Sequence, residues 1–537
     1  MDVYHTGDLH LPLLHPRMDA GHGHSEGGDR GQFDSLHHLG SGQRNTNIPA
    51  DSFPEQLRTI SVGPDLDQLC VDAGIIRLRP RFGLVAENEE DVAKAVQEGQ
   101  LRKLGVTPRG GGTSIPSQAV GRGMILLQNR QGVVITKDGD VVVQPGVVKA
   151  ELNKKLAAAG RWMPVDPSSY ASCTIGGMVA NNSSGVRTMK YGSTMEFVKA
   201  VRAVVPGEHA APVGPMTLEQ ALSGDARTKR VASLLLENQD EIKREQPKVT
   251  KNSSGYRLEK VVHDGVFDLP KLFVGSEGTL GVFTEATLAT RAPPKWRLLL
   301  IVESSLEDLN SVASAFRVHS PAGLELVDKS VFRVMNRWET IEKYSRSDSP
   351  YLVFCEFDGN VGDAADMASE LASSSVAGLD PAVLLAPSEI AQAWEARNEV
   401  LTIAQEIRKG SRIVVPGVED LAVPPERLAD LVKLLMDAFE SRGLEYISYG
   451  HAGDANLHSR PLLDVTGRAG RATLEEIMEE CFEAVWRMGG TMTGEHGDGM
   501  LRAKYVERQY PKTYWIMKEI KVLFDPKGLL NPGVKMV

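Results

Sequence analysis

Two long stretches rich in glycine and serine, residues 164–192 and 251–281, interrupt a chain that otherwise alternates short strand and helix patterns. Glycine permits tight turns and close approach of backbone to a ligand, so such stretches between strands read as ligand-facing connections. The chain carries 52 glycines in 537 residues, above the ~7% average. It has no G-X-Y period, which excludes collagen. Hydrophobic residues are 42% and charged residues 24%, as in a globular protein with a core. A net charge of −10 argues against a phosphate-tracking basic surface, and hence against a nucleic-acid binder.

Cys70, Cys173, Cys355 and Cys481 are far apart and form no CxxC pair. That disfavours an iron–sulfur cluster bound by the usual Cys run and a disulfide framework, and a reducing, cytoplasmic compartment fits. No apolar run approaches the ~18 residues of a membrane span. Residues 1–24 lack the basic and apolar regions of a signal peptide. The expectation is no transmembrane segment, with contact to the inner face of a membrane only through a partner. Residues 1–52, which hold seven of the thirteen histidines, have too little apolar pattern to offset ordering entropy and are predicted to be a disordered tail.

From about residue 53 the pattern is mixed α and β. Asn88 ahead of Glu89, Glu90 and Asp91 predicts a capped helix running to Lys103 and ended by Gly105. Strand patterns at 124–128, 133–136 and 140–144 and a helix at 148–159 follow. Arg291-Ala-Pro-Pro294 predicts a boundary. Beyond it lie strands at 298–302 and 351–357 and helices at 306–317, at 390–407 and from Pro424-Pro425 to Ser441. An antiparallel sheet with helices on one face is expected there. Thr473 and Glu476 match a capping box opening a helix to Met488.

Four motifs can carry chemistry. Pro108-Arg-Gly-Gly-Gly-Thr-Ser114, just after the predicted helix, can turn its amides inward as an anion nest. It fits neither a Walker loop nor a dinucleotide fingerprint. Asp166-Pro-Ser-Ser169 and Cys173-Thr-Ile-Gly-Gly-Met-Val-Ala-Asn-Asn-Ser-Ser-Gly185 suit a loop wrapped around a large polar ligand. Phe273-Val-Gly-Ser-Glu-Gly-Thr-Leu-Gly-Val-Phe-Thr284 repeats glycine every third residue and fits a sharp connection between strands. Last, Gly450-His-Ala-Gly-Asp-Ala-Asn-Leu-His458 and Gly494-Glu-His-Gly-Asp-Gly499 offer two imidazoles and a carboxylate, a three-ligand divalent site with an open position. The turn between His451 and His458 would break a helix, so a strand–loop–strand is predicted. A single histidine is more often a satisfied core residue. Three of them with Glu495, in two glycine-bounded clusters, reverse that preference.

In this order the motifs resemble the vanillyl-alcohol oxidase / p-cresol methylhydroxylase (PCMH-type) flavoprotein superfamily. Within it they are similar to the D-lactate, glycolate and D-2-hydroxyglutarate dehydrogenase branch. The resemblance covers residues 55–537. It implies an α+β fold: a PCMH-type FAD-binding domain of two α+β subdomains at 53–292, and a substrate domain with an antiparallel sheet covered by helices at 293–480. A segment at 481–537 would carry Glu495 and His496 and return to the FAD domain. It implies non-covalent FAD, because no histidine or cysteine is placed for a link. Arg109, Gly110, Gly111, Gly112, Thr113 and Ser114 would cradle the pyrophosphate, with Pro108, Gln118, Asp166 and Ser168 nearby. Thr174, Gly176, Gly177, Asn181, Ser184 and Gly185 would line the flavin and ribityl chain. Glu277, Gly278 and Val282 would lie on the adenine side, and Asn531 would return to the flavin. Lys251 and Tyr256 are further candidates beside it. His451, His458 and Glu495 would be ligands of a divalent metal, zinc by donor type with manganese or iron as alternatives. His496 would be the catalytic base and Arg397 the clamp for a substrate carboxylate.

The chain departs from that pattern in places. Arg460 stands where the 2-hydroxyglutarate enzymes have asparagine, and their second substrate lysine has no counterpart in 407–418. Val418-Glu-Asp-Leu-Ala-Val-Pro-Pro425 is closer to the flavoprotein half of bacterial FAD/iron–sulfur fusion proteins. The implied activity is FAD-dependent, metal-assisted oxidation of a D-2-hydroxy acid. Electrons would pass to an external acceptor: an iron–sulfur subunit, electron-transfer flavoprotein, quinone or cytochrome. An oxygen-using oxidase, a flavin lyase and a non-catalytic flavin-binding subunit are the competing expectations.

Overall fold

Strand Phe82–Ala86 is buried at every position, as a strand covered on both faces must be. It pairs in parallel with Met124–Gln128, which pairs in parallel with Val106–Arg109, while Arg58–Ile60 closes the edge antiparallel. The computed structural model describes residues 58–61, 63–334 and 336–536, so the tail expected at 1–52 lies outside the described residues. Helix Glu89–Arg102 makes the crossover. The Asn88 side chain accepts from the Asp91 N–H and three acids occupy the first turn, both favourable at a helix N-terminus. The helix ends at its expected bound: Lys103 is the C-cap, left-handed with φ 56°, so the stop falls two residues before Gly105. Gly105 serves a different need: a Cβ there would stand 2.7 Å from Pro532 Cγ. A four-residue strand, Val106–Arg109, stands between this helix and the glycine triplet.

A second sheet is antiparallel throughout, in the order Val133–Ile135, Val141–Val143, Val282–Leu288, Val198–Val204, Ala211–Val213. Between the strands that flank it, part of the expected loop at 164–192 is a helix, Ile175–Asn181. Thr174 caps it by accepting from the Gly177 N–H at 3.3 Å, and Asn182 ends it left-handed. Two glycines give this segment poor helix propensity; burial of Ile175, Met178 and Val179 on one face holds it.

The third sheet has seven strands, ordered Ala382–Leu384, Trp296–Ser304, Tyr351–Gly359, Gly323–Asp328, Tyr449–His451, Asn456–Leu457, Leu421–Ala422. Helices cover both of its faces, where one was expected. Leu298, Leu300 and Val302 pack with helices Leu309–Arg317, Leu428–Glu440 and Arg468–Arg487. Leu299 and Ile301 pack with Ile390, Ala393, Val400 and Ile403 of helix Pro387–Glu406. The continuous apolar run at 298–302 already has the form of a strand buried on both sides. Thr473 does not cap a helix. It lies inside Arg468–Arg487, its hydroxyl donating to the Ala469 carbonyl at 3.1 Å, and Gly467 is the N-cap.

The last residues return to the first sheet. The Val106 N–H donates to the Leu529 carbonyl at 2.8 Å and the Asn531 N–H to the Val106 carbonyl at 2.9 Å. All four cysteines are buried and free. Among the described residues no helix is long and apolar enough to cross a membrane.

Candidate functional site

A cavity of about 1720 Å³ opens between the two halves. One wall is the glycine triplet, the 166–174 connection, helix Ile175–Asn181 and the turn at Glu277 and Gly278; the other holds Arg397, His451, His458, Glu495 and His496. Pro108 through Ser114, Gln118, Asp166, Ser168, Thr174, Gly176, Gly177, Asn181 and Gly185 all face it. Ser184, Val282 and Asn531 do not line it. The Ser184 hydroxyl donates to Glu495 Oε2 at 2.8 Å. Val282 packs in the core with Phe82, Leu84 and Leu126, because its side of the strand faces the first sheet. Asn531, left-handed at φ 43°, spans the loops behind the wall, donating to the Gln118 and Glu277 carbonyls at 2.9 and 2.7 Å.

Gly110 and Gly111 of the first wall are required by contact. A Cβ on Gly110 would stand 2.4 Å from Thr174 Oγ1 and one on Gly111 2.3 Å from the Ser172 carbonyl oxygen. The wall is thus two backbones pressed together with their polar groups toward the cavity. Arg109 organises it: its guanidinium donates to the Val71 and Ala119 carbonyls at 2.8 and 3.0 Å. Beside it burial pushes the Asp72 carboxyl up to about 6. Gln118 Nε2 donates to Asn181 Oδ1 at 2.7 Å and to the His496 carbonyl at 2.9 Å, and Asn181 Nδ2 to the Glu495 carbonyl at 2.9 Å. Gln118 Oε1 is buried without a partner. The Glu277 carboxylate turns away from the cavity and accepts from the Asp498 and Gly499 N–H groups at 2.9 and 2.8 Å.

On the opposite wall, His451 ends strand Tyr449–His451, and a 3-10 turn with left-handed Ala455 leads back through Asn456–Leu457 to His458. His451 Nε2 lies 3.2 Å from His458 Nε2, and Glu495 Oε1 lies 3.3 and 3.1 Å from the two. Ligands bound to zinc at ~2.0–2.1 Å stand ~3.3–3.4 Å apart at tetrahedral corners. His458 Nδ1 faces the Glu419 carbonyl at 2.8 Å and His451 Nδ1 faces Glu325 Oε1 at 2.6 Å. Donation at both Nδ1 atoms leaves two Nε2 lone pairs facing each other, an arrangement that calls for a cation. A proton can meet that demand in part. Burial opposes charge on His451, but Glu325 outweighs it and lifts the imidazole to about 9. Burial would raise the Glu495 carboxyl, yet Lys251 and His451 hold it well below the ordinary range. Asp420, His458, Glu495 and His496 also bring ligand atoms within 4.8 Å of one another. Asp420 is committed elsewhere, accepting from the Glu495 and His496 N–H groups at 3.0 and 2.7 Å.

His496 stacks on His458 with ring centroids 5.0 Å apart and turns Nδ1 to Glu419 Oε1 at 3.3 Å. Burial disfavours its charge, but Asp420 and Glu419 overcome this and raise its pKa. Arg502, fully buried, balances Glu419 at 2.6 Å. Arg397 pairs with Glu325, lies over the Tyr449 ring at 5.7 Å and keeps a buried Nε without a partner. Lys251 lies behind the cluster, its Nζ 3.2 Å from Glu495 Oε2. Tyr256 is a core residue with its hydroxyl 2.7 Å from Thr279 Oγ1. Arg187 joins the walls: it pairs with Asp166 and forks onto Glu356 at 2.7 and 3.0 Å, while Trp394 Nε1 donates to Glu356 at 2.7 Å. Glu325, Glu356, Glu419 and Asp420 were not anticipated. Their signal is an acid inside a buried apolar strand or at its end, which needs a partner.

Residues 292–534 match the family "FAD linked oxidases, C-terminal domain" and residues 80–210 the family "FAD binding domain". A D-2-hydroxyglutarate dehydrogenase of Pseudomonas putida is 28% identical over 91% of this chain and 52% of its own. A D-lactate dehydrogenase of Archaeoglobus fulgidus is 29% identical over 83% of this chain and 89% of its own. The glycolate oxidase subunit GlcD of Bacillus subtilis is 27% identical over 84% and 88%. The chain spans about half the length of the first of these relatives. Among solved structures, an alkyldihydroxyacetonephosphate synthase superposes with a TM-score of 0.59 at 15% identity, covering 89% of this chain and 83% of that one, a likeness of fold.

Proposed function

Because the chain belongs to the FAD linked oxidases, we propose that it oxidises a D-2-hydroxy acid to the 2-oxo acid. The observation that carries this is the single cavity in which the glycine-built wall faces the His451–His458–Glu495 cluster and His496. FAD bound along the first wall would supply the hydride acceptor. The contact-limited glycines, the Arg109-braced loop and the unpartnered Gln118 Oε1 fit such a ligand. Among the described residues no cysteine lines the cavity, and the three histidines that line it all belong to the opposite wall, which supports non-covalent binding. A divalent cation held by His451, His458 and Glu495, zinc by donor type with manganese or iron as alternatives, would supply Lewis acidity toward the substrate hydroxyl.

The chain's own groups do the rest. Arg397 offers its unpartnered Nε–H to the substrate carboxylate, its position fixed by Glu325, Asn398 and Tyr449. His496 accepts the hydroxyl proton at Nε2, since Nδ1 is turned to Glu419. Glu419 holds the ring and steadies its charged form. An external acceptor, an iron–sulfur subunit, electron-transfer flavoprotein, quinone or cytochrome, would take the electrons. Purified protein is expected to be yellow and to bleach anaerobically with D-lactate, D-2-hydroxyglutarate or glycolate. A colourless preparation that takes up no added FAD overturns this reading, and peroxide produced in air at the rate of turnover would make it an oxidase.

A further inference from the structure

The substrate side of the cavity holds a second guanidinium whose situation differs from that of Arg397. Arg460 opens strand Arg460–Leu463, two residues past His458, and lines the cavity. Arg397 has a carboxylate partner in Glu325. Among the described residues the Arg460 side chain has neither an ion pair nor a hydrogen bond, and its Nε is buried. The nearby carboxylate of Glu419 feels its charge, but that carboxylate is held by Arg502 at 2.6 Å and faces His496 at 3.3 Å. Arg408, also on the lining, has only the carbonyl of its neighbour Ile407 at 3.3 Å. Arg460 and Arg408 thus bring positive charge to this end of the cavity, and among the described residues neither has a carboxylate paired to it.

Two buried Nε–H groups, on Arg397 and Arg460, are without acceptors. A buried donor left unpaired costs free energy, and a guanidinium fork meets a carboxylate with two parallel bonds. The forks come from different elements, one from helix Pro387–Glu406 and one from the strand after His458. A carboxylate that meets one fork with both oxygens leaves the other fork unmet, and a second acidic group on the ligand would satisfy it. We infer that Arg460 binds a second carboxylate of the substrate, which makes the preferred substrate a 2-hydroxy dicarboxylate. This rests on the reading that the cavity oxidises a 2-hydroxy acid. A site that pairs a polar group rejects the analogue lacking it, because the protein's own donor is then stranded.

The test separates binding from turnover. Calorimetric titration of the FAD-loaded protein with 2-oxoglutarate and with 2-oxopentanoate compares five-carbon ligands that differ in the distal acid. We expect the dicarboxylate to bind at least ~100-fold more tightly. Arg460→Gln should shrink that ratio by at least ~30-fold, and Arg460→Lys, which keeps charge without the fork, by less. Should Arg460→Gln not hold FAD, Arg460→Lys alone must still lower the ratio. Equal binding of the two ligands, or a ratio unchanged in the variants, overturns the assignment. Anaerobic bleaching by D-2-hydroxyglutarate reports on the function separately: a protein that shows the binding ratio but never bleaches retains the Arg460 assignment and loses the proposed oxidation.

Discussion

Along residues 108–114 and 174–185 the cavity is walled by backbone, with glycine, hydroxyl and amide side chains between. Across from it stand imidazoles, guanidinium groups and carboxylates, most of them buried and paired with one another. The first wall is set by contact distance and the second by charge. One additional methyl group should ruin the first while leaving the second unaffected, and a change of charge at constant shape should do the reverse. This division follows from the tasks proposed for them: an extended cofactor is held by many weak groups spread along its length, whereas a reacting hydroxyl needs a few strong fields fixed in place.

The largest expected effect is on the charged wall. His496→Ala should retain FAD, read by its absorbance, and slow anaerobic flavin reduction by at least ~100-fold; unaltered reduction would remove His496 from the mechanism. Next is the contact wall. The methyl of Gly111→Ala meets a backbone carbonyl that cannot swing aside. We expect FAD affinity to fall by ~10–100-fold, or ~1.4–2.7 kcal/mol, with metal content unchanged by elemental analysis. Full FAD occupancy in that variant would contradict the division.

The joint between the walls should respond more mildly and on both sides. Glu356→Gln removes the buried one of the two carboxylates that hold half-buried Arg187. It should lower stability by ~3 kcal/mol and, by loosening Trp394 and hence Arg397, raise KM by ~10-fold while kcat stays within ~3-fold. A fall in kcat at constant KM would place Glu356 in the chemistry instead. The smallest effect concerns Lys149, fully buried, its ammonium pushed down to about 8 by burial. A lysine with a depressed folded value gives full stability above its ordinary pKa and loses it as pH falls through about 8. Lys149→Met should therefore be more stable than the parent at pH 7 by ~1–2 kcal/mol, an advantage that shrinks toward pH 10. The Met163 carbonyl keeps Asn153 as its donor at 3.2 Å. Melting curves at the two pH values decide it.

What could be read in advance depended on how local the cause was. The helix behind Asn88 was legible because cap and acidic turn are neighbours in sequence. The false capping box at Thr473 had the right letters inside a helix already under way. Helix Ile175–Asn181 was invisible because its stability comes from distant packing against its own poor propensity. The histidines and Glu495 stood out through their glycine-bounded motifs. Glu325 did not, since its meaning lies in His451, 126 residues away. Asp420 and His496, 76 residues apart, hide each other in the same way.

The Asn531 side chain reaches Gln118 across 413 positions of sequence, and the backbone about it zips onto Val106. On a ribosome, the glycine loop and its strand emerge some 413 residues before the brace behind them. Until that brace arrives, the loop lacks the hydrogen bonds that hold it from behind. Cofactor uptake would then follow the docking of residues 529–531 and report on it.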